Sequence, residues 1–233
     1  MPNWNYNNIE ISGHQVPELM KKAKAEDSIF SMENFYPTPK EETDAYMDEP
    51  RMGWIPWRSD NWGTKWDMSE VQLIDQMTED YINFGYLTPW GPNIAFLDKL
   101  SADYPELWIK LNYCEEGNYF CGRIEWHNGE QQQYDYYSLS EEDGGMKDYA
   151  NRLFELGFES EADFVIEQWE EEKLEEEEEK LSEAKMEEVE VKVDAVVSER
   201  IHCDFLEGNM KTDAYYQKLS TKTREDMMSE CVV

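Results

Sequence analysis

The amino-acid sequence predicts an α+β fold: a ferredoxin-like, split βαβ antiparallel sheet with a Trp-rich insertion, followed by an acidic, mostly helical C-terminal region. Strand and helix patterns alternate as β-α-β twice within the first 140 residues, and further strands follow. A segment rich in Trp, Pro and Gly separates the two halves. After residue 158 the sequence has helical spacing and is rich in acidic residues. We therefore expect two domains, residues 1–145 and residues 146–233.

Apolar spacing predicts the elements of the two βαβ halves. Residues 5–12 alternate apolar and polar side chains, which is typical of a strand, and residues 16–25 have helical spacing. Residues 28–35 are predicted to return as the second strand. Residues 80–88 form the third strand pattern, and residues 92–104 place apolar side chains on one helical stripe.

A long irregular segment and a meander complete the predicted domain. Residues 40–66 contain four tryptophans and break every periodic pattern, so we expect an ordered, aromatic-rich insertion. Three strand patterns follow the second helix, at residues 107–113, 119–126 and 133–138. Asn128-Gly129 between the last two is a strong signal for a hairpin turn.

The C-terminal region is predicted to be helical. Helical patterns cover residues 146–157, 161–188 and 212–228, and residues 189–193 alternate, which fits either a short strand or a continued helix. Five consecutive glutamates lie in the long helix, where like charges four residues apart oppose helix formation. We expect this helix to be exposed to solvent.

Charge excludes several classes of partner. The chain has 53 acidic and 21 basic residues, a formal net charge of −32. Duplex nucleic acid and anionic membrane surfaces both require a basic patch, so neither is expected as a direct partner. Residues 159–190 alone carry sixteen acidic residues and three lysines. Strong acidity of this kind favours solubility and attraction to basic surfaces.

Cofactors and membrane segments are not expected. The four cysteines, Cys114, Cys121, Cys203 and Cys231, have neither zinc-site nor iron–sulfur spacing, and the three histidines are scattered. Cys114 and Cys121 flank a predicted hairpin turn and are interpreted as reduced thiols. No apolar run of 18 residues and no signal-peptide pattern occurs at the start, so we expect a cytoplasmic protein without cofactor or metal.

Four ordered motifs resemble a known family. They are Met1-Pro2-Asn3-Trp4 with Asn8 and Ser12-Gly13, then Trp62-Gly63-Thr64-Lys65-Trp66-Asp67, then Thr88-Pro89-Trp90-Gly91-Pro92, and lastly residues 113–122 (YCEEGNYFCG). Together they resemble the YubB ferredoxin-like domain family of phage and plasmid proteins over residues 1–140. The resemblance implies a ferredoxin-like fold and an origin in a phage or mobile element. It implies no activity.

Two motifs leave a functional and a structural interpretation open. Residues 62–67 form either a binding surface or an aromatic packing unit, in which Gly63 allows close approach and Asp67 caps locally. Glu115 and Glu116 are candidates for acid–base work or a cation site, but they lie in a turn where solvated acids are common. Trp90, between two prolines, is interpreted as packing on the strand-to-helix turn. Nucleotide-loop and catalytic motifs are absent from the sequence, and we expect no enzyme.

The function predicted first is a non-catalytic phage accessory protein. It would bind and inhibit a basic, nucleic-acid-handling host protein in the host cytoplasm by presenting carboxylates where phosphates would lie. The predicted contacts are Glu170, Glu171, Glu172, Glu175, Glu176, Glu177, Glu178 and Glu179, with Trp54, Trp57 and Trp62 as an apolar anchor.

Two alternative functions belong to other classes of protein. The ferredoxin-like sheet is a candidate surface for RNA or single-stranded DNA, with Tyr134, Tyr136, Tyr137 and the tryptophans of the insertion stacking on bases. A structural, virion-associated protein is the other alternative.

Overall fold

A computed structural model describes residues 2–48, 53–139, 145–207 and 211–230. It contains one six-stranded sheet in the order β2-β3-β1-β4-β5-β6. The strands are β1 (Trp4–Ser12), β2 (Ser69–Leu73), β3 (Tyr81–Pro89), β4 (Trp108–Glu115), β5 (Phe120–His127) and β6 (Glu130–Ser138). The helices are α1 (Val16–Ala23), α2 (Lys40–Asp48), α3 (Trp54–Trp62), α4 (Ile94–Asp103), α5 (Gly145–Leu156), α6 (Glu159–Leu206) and α7 (Asp213–Glu230).

The sheet confirms the predicted ferredoxin-like fold. All five strand pairs are antiparallel, and β1 lies between β3 and β4. The order β4-β1-β3-β2 is therefore the split βαβ arrangement, in which α1 leads from β1 towards β2 and α4 from β3 to β4. The strands β5 and β6 extend the sheet beyond β4. Asn128 and Gly129 both have positive φ in the β5–β6 turn, as the Asn-Gly signal predicts.

One face of the sheet carries the main hydrophobic core. Alternate residues of β1 are buried, and Ile9 and Ile11 pair with apolar residues on both neighbouring strands. The helices α1 and α4 contribute buried side chains such as Leu19 and Phe96 to the same core, and so does Trp62 of α3. Burial of this continuous apolar surface is the main favourable contribution to folding of this unit.

Part of the opposite face is covered by α5 and the beginning of α6. Cys114 and Cys121 are directly opposed across β4 and β5, and Leu153 and Val165 pack with them in a second buried cluster. Both thiols are free, as predicted, and burial raises the pKa of Cys121 to about 12. Cys203 is free and exposed, and Cys231 lies outside the described residues.

The prediction of a strand at residues 28–35 is wrong. Phe30 and Met32 are buried there, but the chain makes a 3₁₀ turn from Met32 to Asn34. The carboxylate of Asp67 holds this turn by accepting hydrogen bonds from the Ser31 hydroxyl (2.5 Å) and the Met32 amide (2.8 Å). The second strand of the split unit is β2, an edge strand whose side chains are mostly exposed, so its sequence has no apolar alternation.

The long C-terminal helix α6 extends well beyond the predicted residues 161–188. Residues 189–193 continue α6, because Val189 and Val193 lie four residues apart on one helical face and both are buried. Tyr216 of α7 donates a hydrogen bond to Asp204 of α6 (2.9 Å), and Arg224 pairs with Glu190 (2.6 Å). The contacts divide the chain into two compact units, Met1–Glu167, which we call the sheet unit, and Gln168–Val233. The helix α5, which we assigned to the C-terminal region, therefore belongs with the sheet.

Helix hydropathy bears on membrane insertion. Within the described ranges, no helix has both the length and the apolar character needed to cross a bilayer.

We expect Asp67→Ala to destabilise the sheet unit by about 2–4 kcal/mol, because it leaves several charge-assisted hydrogen bonds unmade. Urea unfolding followed by tryptophan fluorescence reports on this unit, since eight of the nine tryptophans precede residue 168. Asp103→Ala is the matched control, because Asp103 accepts a single exposed hydrogen bond from Tyr36. We expect Asp103→Ala to lower the free energy of unfolding by less than about 1 kcal/mol. Equal losses in the two variants would contradict the role assigned to Asp67.

Candidate functional site

The predicted acidic contacts lie on one uncovered stretch of α6. We call residues 170–188 the acidic segment; every residue in it is exposed. All eight glutamates of the predicted contact set belong to it. The segment lies within the second compact unit, before the part of α6 where Val189 is buried.

The carboxylates of the first ten residues of this segment are spaced about as closely as the phosphates of DNA, although Lys173 lies among them. Eight of the ten residues from 170 to 179 are glutamates, and ten helical residues span about 15 Å, so there is about one carboxylate per 1.9 Å of axis. Duplex DNA carries one phosphate charge per about 1.7 Å. Successive residues are rotated by about 100°, so these glutamates surround the helix and do not form a single stripe.

Lysines within the helix offset part of the repulsion. Lys173 and Lys180 both pair with Glu176, at 2.9 and 3.7 Å, and Lys192 pairs with Glu188 at 2.6 Å. The hydrogen bond and charge of Lys173, with a smaller effect of Lys180, lower the pKa of Glu176, and Lys192 does the same for Glu188. These carboxylates therefore stay ionised over a wider pH range.

The predicted tryptophan anchor has only two members that reach the surface. Trp62 is fully buried, and its indole N–H donates to the Tyr36 carbonyl oxygen at 3.0 Å, so it cannot contact a partner. Trp57 is partly buried and lies edge-on to Trp62, with ring centroids 6.2 Å apart. Trp54 is also partly buried and lies under the cations of Arg58 and Lys65, at 5.0 and 5.9 Å.

A different group of tryptophans reaches the surface, two of them partly buried and one exposed. Trp4, Trp66 and Trp90 make a row, which we call the tryptophan platform, with centroid distances of 6.0 Å and 6.1 Å. Trp90 is 52% exposed, contrary to our interpretation that it packs on the turn. Trp4 begins β1 and Trp90 directly follows β3, so the antiparallel pairing of Trp4 with Pro89 brings them to one edge. Sequence reasoning missed the platform because it depends on this register.

The backbone of Trp90 is strained and firmly held. Its φ of 65° lies in the left-handed region, which is unusual for a bulky side chain. Its amide donates to the Asn3 carbonyl oxygen at 2.9 Å. Below it, the buried side chain of Asn7 donates to Thr88 Oγ1 at 2.8 Å, and Thr88 donates to the Gly91 carbonyl oxygen at 2.8 Å. This buried network fixes the loop that presents the indole.

A cleft of about 380 Å³ opens beside the platform. Its lining comes from α3, the loop after α3, the last residue of β3 and the loop after β3: Ile55, Ser59, Gly63, Thr64, Lys65, Pro89, Trp90 and Gly91. The ammonium of Lys65 lies 5.1 Å from the Trp66 ring and makes no ion pair among the described residues. The lining therefore combines one cation, two hydroxyls and an aromatic ring without a carboxylate.

Glu115 has a structural role in the β4–β5 turn. It is 1% exposed and accepts hydrogen bonds from the amides of Gly117 (2.8 Å) and Asn118 (3.0 Å). In the described parts of the chain, no group of three or more His, Cys, Asp or Glu side chains is arranged to hold a metal ion. The histidines stay apart: His14 pairs with Glu106, and the His127 ring stacks on Trp108.

Comparison with known proteins supports the fold. Residues 61–149 match the family model described as the ferredoxin-like domain in Api92-like protein. This segment resembles an Api92-like domain. It covers β2 to β6, α4 and the first residues of α5. The match confirms the ferredoxin-like prediction for that segment, but it does not confirm the YubB name.

Other comparisons add little. No curated protein matches the chain. The crystal structure of a protein Api92 from Yersinia pseudotuberculosis is similar at 17% identity, over 38% of this chain and 31% of that chain, with a TM-score of 0.33. The aligned part thus spans about a third of that protein, and at this score the likeness adds nothing to the family match.

Glu116 provides a test of electrostatics on the sheet unit. Burial and the charges of Glu161 and Glu115 raise the pKa of Glu116 above 4.5. Its ionisation in the folded state is therefore destabilising; this destabilisation is absent below pH 4.5 and complete above the raised folded-state pKa. We expect Glu116→Gln to raise the melting temperature at pH 7, with the gain shrinking as the pH approaches 4.5.

The matched control is Glu10→Gln on the same sheet. Glu10 pairs with Lys110 at 2.6 Å, so its neutralisation should lower or leave unchanged the melting temperature at pH 7. Thermal unfolding by circular dichroism across pH 4.5–7 measures both. A stabilisation by Glu116→Gln that does not depend on pH would contradict the assigned cause.

Proposed function

We propose that this protein is a non-catalytic binding protein whose acidic segment competes with nucleic acid for a basic surface of a host protein. The supporting observation is the density of exposed carboxylates, about one per 1.9 Å over residues 170–179. A basic groove that neutralises DNA phosphates meets a similar linear charge on this helix. The target class is a nucleic-acid-handling protein of defence, transcription or repair.

Binding of this kind is dominated by electrostatic steering. Complementary charge accelerates association and gives a strong dependence on ionic strength, whereas a solvated helix retained only for solubility has no preferred partner. The glutamates surround the helix, so a groove that encloses the helix fits better than a flat surface. The exposed Leu174 and Leu181, seven residues apart, add an apolar contact along one side.

A catalytic function has less support. The carboxylate of Glu115 is used by its own turn, and burial raises the pKa values of Cys114 and Cys121, which disfavours the reactive thiolates. The resemblance to phage and plasmid proteins supplies the proposed setting, the cytoplasm of a host cell.

Binding of single strands across the open sheet is also less favoured. Tyr137 packs with the buried cluster under α5, whereas Tyr134 and Tyr136 are about half exposed and pair with Ile124 and Gly122 of β5. Alternate residues of a strand face opposite sides, so the three tyrosines do not share one stacking surface.

The test replaces Glu175 to Glu179 with glutamine in the full-length chain. Immobilised protein is exposed to bacterial lysate at about 50 mM salt, and bound proteins are identified by mass spectrometry. We expect at least one DNA- or RNA-binding protein that the variant loses, that added duplex DNA displaces, and that about 0.5 M salt releases.

A charge-matched control separates the segment from net charge. Neutralising five exposed acids of the sheet unit, Glu18, Glu26, Asp27, Glu79 and Glu130, changes the net charge by the same amount. The control should retain the partner. The proposal fails if the two variants lose the partner equally, or if duplex DNA does not displace it.

A further inference from the structure

We propose that the cleft beside the tryptophan platform binds a nucleotide, with the base stacked on Trp90 and the phosphate held by Lys65 and Thr64. This site lies in the sheet unit and is independent of the acidic segment. A cleft of about 380 Å³ has the size of a site for a small ligand.

The residues that line the cleft favour an anionic ligand. The chain has 53 acidic residues, yet the cleft is lined by one lysine, two hydroxyl side chains and no carboxylate. Lys65 is held over Trp66 at 5.1 Å and has no carboxylate partner among the described residues. A phosphate supplies the missing counter-charge.

An unpartnered hydroxyl lies beside the cleft. Thr64 lines the cleft and is only 4% exposed, and its Oγ1 is buried without a hydrogen-bond partner among the described residues. Buried polar atoms in folded proteins almost always have partners, so an unpartnered hydroxyl on a residue that lines a cleft is a candidate for a ligand contact. Rotation of the Thr64 side chain towards the cleft would let Oγ1 donate to a phosphate oxygen.

The adjacent end of α4 adds to the positive potential. Gly63 packs against it, since a Cβ at this position would lie 3.2 Å from the amide nitrogens of Ile94 and Ala95. The preceding Asn93 does not cap the helix, because its Oδ1 accepts the hydrogen bond of the Tyr86 hydroxyl at 2.7 Å. The partial positive charge of this helix start therefore has no side-chain acceptor.

The aromatic part of the ligand is inferred from Trp90. The indole is 52% exposed although a strained backbone and a buried hydrogen-bond network hold it in place. One side of the ring contacts Trp66, at an interplanar angle of 29°, and the indole also lines the cleft. Bases stack on such rings irrespective of their identity. The net charge of −32 opposes a long polyanion, so a free nucleotide or one strand end is the ligand.

The experiment titrates the full-length protein with AMP, GMP, CMP and UMP, followed by calorimetry and tryptophan fluorescence. Adenosine and ribose 5-phosphate test the two halves of the ligand separately, and each should bind at least tenfold more weakly than AMP. A 5′-phosphorylated hexanucleotide tests whether the ligand is a free nucleotide or the end of a strand. Tighter binding than AMP indicates a strand end, and weaker binding indicates a free nucleotide.

Three variants test the assigned contacts. Trp90→Gly removes the stacking ring and relaxes the positive φ, so the protein stays folded while AMP binding falls by about tenfold or more. Lys65→Gln weakens AMP binding most at low salt. Thr64→Val removes the unpartnered hydroxyl, so it should raise the melting temperature and still weaken AMP binding.

Trp108→Ala is the matched control. Trp108 is 48% exposed and stacks on His127 at 4.2 Å, but it does not line this cleft. It should leave AMP binding unchanged. The proposal is overturned if no nucleotide binds at 5 mM, or if Trp90→Gly binds AMP within twofold of the unchanged protein while its melting temperature shows that it is folded.

Discussion

The strand β1 is hydrogen-bonded along both of its edges, and the rest of the sheet unit depends on this double pairing. Residues 4–12 pair with β3 on one side and residues 5–12 pair with β4 on the other. These two strands do not pair with each other, so β1 is the strand that joins them in the sheet. The segment that matches the Api92-like family begins at residue 61 and lacks β1. The folding unit is therefore larger than the matched segment and includes the start of the chain.

The same strand links the core to the surface. Ile9 and Ile11 lie in the core, while Asn5 and Asn7, on the same face, belong to the polar network near the platform. A buried polar network fixes geometry better than apolar contacts, because its hydrogen bonds are directional. The central strand thus carries packing at one end and positioning of the platform at the other.

Local patterns predicted most of the fold, and long-range pairing decided the rest. The alternation of β1, the Asn128-Gly129 turn and the helical stripe of α4 are local signals, and the structure confirms them. The edge strand β2 has no such signal, since an edge strand with exposed side chains has no buried face to impose alternation. The 3₁₀ turn at residues 32–34 depends on Asp67, more than thirty residues away.

The same contrast between local signals and long-range contacts applies to the candidate sites. Exposure of the glutamates follows from charge alone, because carboxylates in such numbers cannot be buried without partners. Burial of Trp62 and exposure of Trp90 do not follow from composition, since both are tryptophans beside glycines. They differ in their place in the fold, because Trp62 ends α3 and packs in the core while Trp90 follows β3. The result is a chain that separates a cation-bearing aromatic surface in one unit from dense negative charge in the other.

The left-handed backbone at Trp90 has a consequence for how this position changes during evolution. Glycine would adopt that conformation at no steric cost, and a single-nucleotide change converts the tryptophan codon TGG to the glycine codon GGG. Drift alone should therefore replace the indole with glycine. Retention of tryptophan across diverged relatives would measure selection on the ring itself, separately from selection on the turn.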